Sequence, residues 1–100
     1  MVVVPFPFTD LMSSKRRPAL LLRKYRDDVI VAYIYSRVPE RLSPAEVLVS
    51  SASASFKGTG LLTDSVIMLN KPATVEKRLI IRVLGEADDD LKAEINFKLR

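Results

Sequence analysis

Short apolar runs separated by polar turns fill most of the chain, and this pattern predicts a mainly β protein. Runs of about four to eight residues rich in Val, Ile, Leu and Tyr are typical of strands. The predicted strands are residues 2–6, 18–22, 29–35, 45–50, 65–69 and 79–84. Because the run at 18–22 is apolar throughout, we expect it to lie at the centre of a sheet.

The polar segments between these runs predict the connections. Residues 7–17 are expected to form a loop of about ten residues, and connections of that length in a small domain are frequently functional. The shorter polar stretches predict a charged hairpin turn at 23–28, a loop at 36–43, a turn around Thr59 and one helical turn at 74–77.

The end of the chain carries a different period. Leu91, Ile95 and Leu99 recur every four residues, which places them on one face of a helix. Asp88 is the expected N-cap, and acidic residues open the helix while basic residues close it, as the helix dipole favours. Several short strands followed by one helix predict a mainly β barrel with a helical lid.

The amino-acid composition excludes several kinds of site. A length of 100 residues suits a single domain spanning residues 1–100. The sequence contains no cysteine, which excludes disulfides and thiolate metal sites, and no histidine, the commonest metal ligand and general base near neutral pH. We therefore expect no metal and no other cofactor.

Charge is unevenly distributed along the chain. The formal net charge is +4, yet residues 15–26 carry six basic side chains and no acidic one, while residues 86–94 carry five acidic side chains. A basic cluster on a nearly neutral body fits a polyanionic partner, and the alternative is a solvated charged surface.

The N-terminal segment does not resemble a targeting signal. It lacks a basic region and is interrupted by Pro5 and Pro7, so we predict that it is not a signal peptide. No apolar run approaches the roughly 20 residues of a membrane span, and a cytoplasmic protein with no membrane partner is expected. A strand at the first residue is unusual: either a short segment precedes it, or the strand begins without one.

Two motifs carry a resemblance to a known family. Residues 3–10 read VVPFPFTD, and residues 15–20 read KRRPAL. In this combination the chain resembles the MazF/PemK toxins, in which a strand ends in a PFPFTD-like string, a variable polar loop follows, and an Arg-Pro-Ala step opens the next strand. The likeness continues through residues 29–36, 45–47, 60–69 and 79–85, and so spans nearly the whole chain.

The resemblance implies both a fold and a function. The implied fold is an SH3-like small β-barrel of the MazF/PemK/Kid type with a C-terminal α-helix. The implied function is that of a growth-inhibiting toxin of a type II toxin–antitoxin system, a homodimeric endoribonuclease that cleaves single-stranded mRNA without a metal. A cognate antitoxin would neutralise it and would provide any contact with DNA.

Arg17 is the first candidate catalytic residue. Metal-free RNA cleavage requires deprotonation of the 2′-hydroxyl, stabilisation of the charge on the phosphorane and protonation of the leaving 5′-oxygen. Arg17 matches the arginine of the family's Arg-Pro step, and its guanidinium could grip a phosphate through two oxygens. The alternative is a surface arginine beside a strand.

Other polar residues near this step are expected to contact RNA. The expected RNA-binding residues are Thr9, Asp10, Lys15, Arg16 and Arg37. Lys15 and Arg16 would neutralise phosphates, or else belong to a solvated loop. Thr9 and Asp10 are polar groups near the expected groove, and such a pair is more often a turn motif than a general base.

The second catalytic position is ambiguous. Where the family carries Thr followed by Ser or Thr, this chain has Tyr35 and Ser36. The in-register alignment places Tyr35 on the catalytic hydroxyl, and a one-residue slip places Ser36 there. Neighbouring strand residues point to opposite faces, so only one of them faces the site. Tyr35 could donate a hydrogen bond, stack on a base, or only pack in the barrel wall.

A second departure leaves the activity open. Some members on the PemK side carry an Arg and an Asp two residues apart, and this chain has Met68 and Asn70. A Met side chain cannot act as an acid or a base, and an amide is a poor base. That route to cleavage is therefore expected to be lost. Three interpretations remain: an active endoribonuclease using Arg17 with Ser36 or Tyr35, a catalytically weak or inactive dimer that binds RNA or an antitoxin peptide, and an unrelated SH3-like or Sm-like nucleic-acid module.

Overall fold

The strands form one antiparallel sheet with a helix at the end of the chain, in a computed structural model that describes residues 1–5 and 16–99. The elements are β1 (Val2–Pro5), β2 (Arg16–Tyr25), β3 (Asp28–Tyr35), β4 (Glu46–Val49), α1 (Phe56–Thr59), β5 (Ser65–Glu76), a 3₁₀ helix (Lys77–Leu79), β6 (Arg82–Val83) and α2 (Asp89–Lys98). The hydrogen-bonded order is β4-β5-β3-β2-β1-β6, so the described strands do not close into a complete barrel. The predicted mainly β fold with a C-terminal helix is confirmed.

One side of the sheet packs against α2, and we call it the helix face. Its core joins Leu20, Ile34 and Ile67 of the strands to Leu91 and Ile95 of the helix. Ile34 and Ile67 are fully buried, and burying such a side chain stabilises a fold by about 1.5–3 kcal/mol. The helix therefore holds one face of the sheet in place.

The opposite side has its own core, which we call the tyrosine face. Val4, Val31, Tyr33 and Val75 lie there, packed under Leu79 of the 3₁₀ helix. Side chains alternate between the two faces along each strand. Because both faces are covered, the central strands read as nearly continuous apolar runs in the sequence.

β2 is longer than predicted at both ends. Arg16 pairs with Pro5 and Arg17 with Val4, so these two arginines belong to a strand and not to the loop expected at residues 7–17. The rest of that loop lies outside the described residues. At the other end β2 continues to Tyr25, which leaves a turn narrower than the predicted 23–28. Charged side chains suggested a turn, but exposed strand residues tolerate charge because their backbone still pairs.

β5 also corrects the sequence prediction. The strand was expected to end at Leu69, yet it runs through Pro72 to Glu76, and the helical turn predicted at 74–77 is extended strand. The pairing shifts from Ala32 opposite Pro72 to Ile34 opposite Ile67, so residues 68–71 bulge away from β3. A proline is tolerated beside a bulge, because the missing N–H falls where the hydrogen-bond ladder is already interrupted.

The final elements were predicted with mixed success. Of the strand expected at 79–84, only Arg82–Val83 pairs, and the turn expected around Thr59 is the end of α1. α2 begins as predicted: the Asp88 carboxylate accepts a hydrogen bond from the N–H of Leu91 at 2.9 Å. The third residue of the apolar stripe, Leu99, is 48% exposed. No helix in residues 1–5 and 16–99 is long and apolar enough to cross a membrane.

Candidate nucleic-acid interface

The fold divides the basic cluster of residues 15–26 into two groups. β2 advances about 3.3 Å per residue, which puts Arg16 and Arg26 roughly 30 Å apart at opposite ends of the strand. Arg16 and Arg17 lie beside β1, whereas Arg26 occupies the hairpin turn. The candidate site therefore concerns only the first group; Lys15 lies outside the described residues.

A cleft of about 660 Å³ opens beside Arg16 and Arg17, on the helix-face side where β1, β2, β3 and β6 meet. Its lining residues are Val3, Arg16, Arg17, Pro18, Ile34, Ser36, Gly60, Leu61, Leu62, Thr63, Ser65, Ile81, Arg82 and Leu84. Among the described residues, three arginines and three hydroxyl-bearing residues face an otherwise apolar surface, and no acidic residue of residues 1–5 and 16–99 lines the cleft. This composition favours an anionic ligand with apolar parts.

Arg17 borders this cleft, but its guanidinium lies with Tyr35. The strand register explains the arrangement, because Arg17 pairs with Val4, whose side chain lies on the tyrosine face. The guanidinium carbon of Arg17 is 5.8 Å from the centroid of the Tyr35 ring, within cation–π range. The structure thus brings together two of the predicted catalytic residues at the end of the sheet.

A second tyrosine supports the first. The rings of Tyr33 and Tyr35 are 6.3 Å apart between centroids and tilted by 49°. Tyr33 is 8% exposed, and this burial, with a smaller contribution from Tyr35, raises the pKa of its hydroxyl. The raised pKa keeps the Tyr33 hydroxyl protonated well above neutral pH, and Tyr35, which is half-buried, is the more exposed tyrosine of the pair.

Ser36 lies on the other side of the strand. It follows the last residue of β3, is exposed, and lines the cleft next to Ile34 of the helix face. The alternation predicted for the Tyr35–Ser36 pair is therefore present, and the Arg17 guanidinium shares a face with the tyrosine. Arg37 is exposed and does not line the cleft, and Thr9 and Asp10 lie outside the described residues.

The two replaced acid–base positions lie on β5. Ile67 pairs with Val47 on the helix face, and Met68 is the next residue along the strand. Leu69 also lies in the helix-face core, so alternation directs Met68 to the same face as the Arg17 guanidinium and Tyr35. That face thus carries a thioether at the first of these positions, and an exposed amide follows at Asn70 within the bulge.

Three polar residues that line the cleft were not predicted as site residues from the sequence. Thr63 and Ser65 line one wall, and Arg82 reaches the cleft because β6 pairs with β1 opposite Val3. The only available signal was that Arg82 is the single charged residue in the apolar run at 79–84. That run predicted a strand but not its neighbour in the sheet.

The carboxylates with lowered pKa accept hydrogen bonds that stabilise turns and a helix end. The backbone N–H of Ser43 lowers the pKa of Glu46, hydrogen bonds from Ser51 lower that of Asp64, and the capping N–H of α2 lowers that of Asp88. None of the three lines the cleft. Within the described part of the chain, no group of three His, Cys, Asp or Glu side chains is placed to hold a metal ion.

Comparisons with known proteins identify similar sequences and folds. A family model described as PemK-like, MazF-like toxin of type II toxin-antitoxin system matches residues 1–100. The solved structure of the Mycobacterium tuberculosis toxin MazF-mt6 is similar with a TM-score of 0.73 and 19% identity, covering 98% of this chain and 89% of that one. A second structure, described as an Mtb toxin, has a TM-score of 0.67 and 23% identity, covering 83% of this chain and 88% of that one. No curated protein matches the sequence.

Proposed function

The chain belongs to the family of PemK-like, MazF-like toxins of type II toxin–antitoxin systems, and from that membership we propose that it is an endoribonuclease that cleaves single-stranded mRNA without a metal. The observation that carries the proposal is the Arg17 guanidinium, whose carbon lies 5.8 Å from the centroid of the Tyr35 ring, beside a cleft that the described residues line with arginines and with no acidic side chain. A charge donor and a hydroxyl donor are thereby held together where a polyanion would bind.

The chemistry follows from these two side chains. Arg17 grips the scissile phosphate through two oxygens and stabilises the charge that develops on the phosphorane. The 2′-hydroxyl attacks the adjacent phosphorus, the bond to the 5′-oxygen breaks, and the Tyr35 hydroxyl donates a proton to that leaving oxygen. The products are a 2′,3′-cyclic phosphate and a 5′-hydroxyl. Asp10 is the candidate acceptor of the 2′-hydroxyl proton.

We further propose the partners typical of the family: a second copy of the chain, a cognate antitoxin, and DNA only through that antitoxin. An mRNA substrate places the protein in the cytoplasm. The edge of the sheet supports the dimer, because Val83 is 70% exposed at β6, the last strand of the order, and an edge strand offers its backbone hydrogen-bonding groups to a second copy. Sedimentation at micromolar concentration should show a dimer, and a monomer alone would contradict this part of the proposal.

The decisive experiment is cleavage of a long single-stranded RNA in the presence of a chelator, with the ends mapped. We expect cleavage to survive chelation and to leave 2′,3′-cyclic phosphates. Arg17→Ala should slow it by about 100-fold or more, because one preorganised charge donor to the transition state is lost. The fold should survive, since exposed or half-exposed substitutions usually change stability by about 0.5 kcal/mol or less. An Arg17→Ala variant that cuts as fast as the parent would refute the site.

A second candidate function is supported by one observation. Met68 lies on the same face as Tyr35 and Asn70 follows two residues later, and neither side chain can replace an acid–base pair. A catalytically weak or inactive dimer that binds RNA or an antitoxin peptide would fit these replacements. A parent protein that binds single-stranded RNA and leaves it intact would establish this function in place of cleavage.

A further inference from the structure

Arg82 occupies the wall of the cleft opposite β2. It pairs with Val3 of β1, and Val3 pairs on its other side with Pro18 of β2. Because neighbouring strands lie about 4.8 Å apart, the backbones at Arg82 and Pro18 are separated by roughly 10 Å. Arg16 is two residues from Pro18 and therefore shares its face. Arg16 and Arg82 thus face the same cleft from two sides of β1.

No described carboxylate neutralises either arginine. Within residues 1–5 and 16–99, no ion pair or hydrogen bond joins the Arg16 or Arg82 guanidinium to another side chain, and no carboxylate lines the cleft. Arginines left unpaired around a concave surface concentrate a positive potential there and attract anions. Arg82 is also exposed, so its guanidinium is accessible to a large ligand.

The lip of the cleft is apolar. Leu62 is 98% exposed and Ile81 41% exposed, and both border the cleft. An exposed apolar side chain beside cations fits a nucleotide. The cations would contact the charged phosphate, and the apolar side chain would contact the flat face of the base. The same arrangement would be unfavourable for a small inorganic anion, which has no apolar part.

We propose that Arg82 is an RNA-phosphate contact that, with Arg16, holds the strand next to the scissile bond, with a base against Leu62. The inference rests on the proposed function and extends it to a residue and a path. The RNA crosses the end of the sheet where β2 begins and β3 ends, from Arg17 and Tyr35 into the cleft on the helix face. Arg82 therefore binds substrate and takes no part in bond breaking.

The test measures binding of a fluorescein-labelled 2′-O-methyl oligoribonucleotide of about ten nucleotides, which lacks the nucleophile and stays intact. Each phosphate contact to a single strand contributes about 0.7 to the slope of log Kd against log salt. Arg82→Gln should therefore flatten the slope by about 0.7 and bind about fivefold more weakly at about 0.1 M salt than the parent, converging near 1 M. Arg82→Lys should keep the parent slope.

The matched control is Lys92→Gln, which removes the same charge from an exposed position on α2 that lines a separate groove. Its slope should equal that of the parent. In cleavage assays Arg82→Gln should raise KM and spare kcat, whereas Arg17→Ala should lower kcat. Should Arg82→Gln unfold, Arg82→Met keeps the aliphatic stem and repeats the measurement.

The outcomes separate this inference from the proposed function. A parent that cuts RNA, with an Arg82→Gln slope equal to its own, overturns the role of Arg82 and leaves the endoribonuclease standing. A slope flattened equally by Lys92→Gln also overturns it, because the effect would then be one of net charge. A parent that binds RNA without cutting it removes the proposed activity alone, and a parent that does neither overturns both.

Discussion

Replacing Tyr35 by Phe tests which hydroxyl serves the reaction. The substitution keeps the ring that stacks on Arg17 and removes only the oxygen. The ring centroid lies 5.8 Å from the guanidinium carbon on the tyrosine face, whereas Ser36 lines the cleft on the helix face. We therefore expect Tyr35→Phe to slow cleavage strongly. Ser36→Ala should change the cleavage rate by less than about threefold, the small effect usual for an exposed residue outside the reacting groups.

The magnitudes follow from the two contributions of the tyrosine. Losing one preorganised donor to a developing negative charge costs about 2.7–4 kcal/mol, or roughly 100- to 1,000-fold in rate, so Tyr35→Phe should fall in that range. Tyr35→Ala also removes the stacking on Arg17, worth about 0.5–1 kcal/mol at an exposed site. The alanine variant should therefore be slower than the phenylalanine variant by a further factor of about two to five.

The assay is single-turnover cleavage of a fluorogenic single-stranded RNA in chelator, with the melting temperature of each variant measured in parallel. The chain supplies a matched control in Tyr25, which is also stacked by an arginine, with Arg26 5.7 Å from its ring centroid, at the distant hairpin turn. Tyr25→Phe should leave the rate unchanged. Parent-like cleavage by Tyr35→Phe together with a large loss in Ser36→Ala would refute the argument and assign the donor to the cleft.

Three further perturbations test the scaffold and the replaced positions. Asp88→Ala should lower the free energy of unfolding in urea, because the N-cap of α2 is lost. Since folding lowers the pKa of Asp88, its contribution is present above the unfolded value near 3.8 and is lost as the pH falls through the lower folded value, so the parent and Asp88→Ala should converge in stability in acid; a constant gap would contradict this. Gly60→Ala should destabilise by more than about 1 kcal/mol in a thermal melt, because φ is +77° and the new Cβ would clash with the Leu84 carbonyl oxygen; a parent-like melt would contradict it. Met68→Arg combined with Asn70→Asp should speed cleavage if the missing acid–base pair limits the enzyme, and an unchanged rate would remove that explanation.

Local pattern was sufficient where an element's own residues decide its conformation. The β-branched and aromatic run at 29–35 is strand β3, and the capping residue and apolar spacing at the C-terminus define α2. The same reasoning failed at residues 70–72, where Asn, Lys and Pro resemble a turn. There β5 stays extended because pairing with β3 and a bulge beside Pro72 override the local preference.

Some features of the candidate site were likewise predictable from the sequence, and others depended on strand pairing. The two motifs that carry the family resemblance, and the rule that Tyr35 and Ser36 face opposite sides, are properties of the sequence itself. Which side holds the Arg17 guanidinium was decided by its pairing with Val4, and the presence of Arg82 in the cleft by the pairing of β6 with β1. Those pairings join residues far apart along the chain. Strand register is set by burial and backbone hydrogen bonding across the whole sheet, so no local window of sequence contains it.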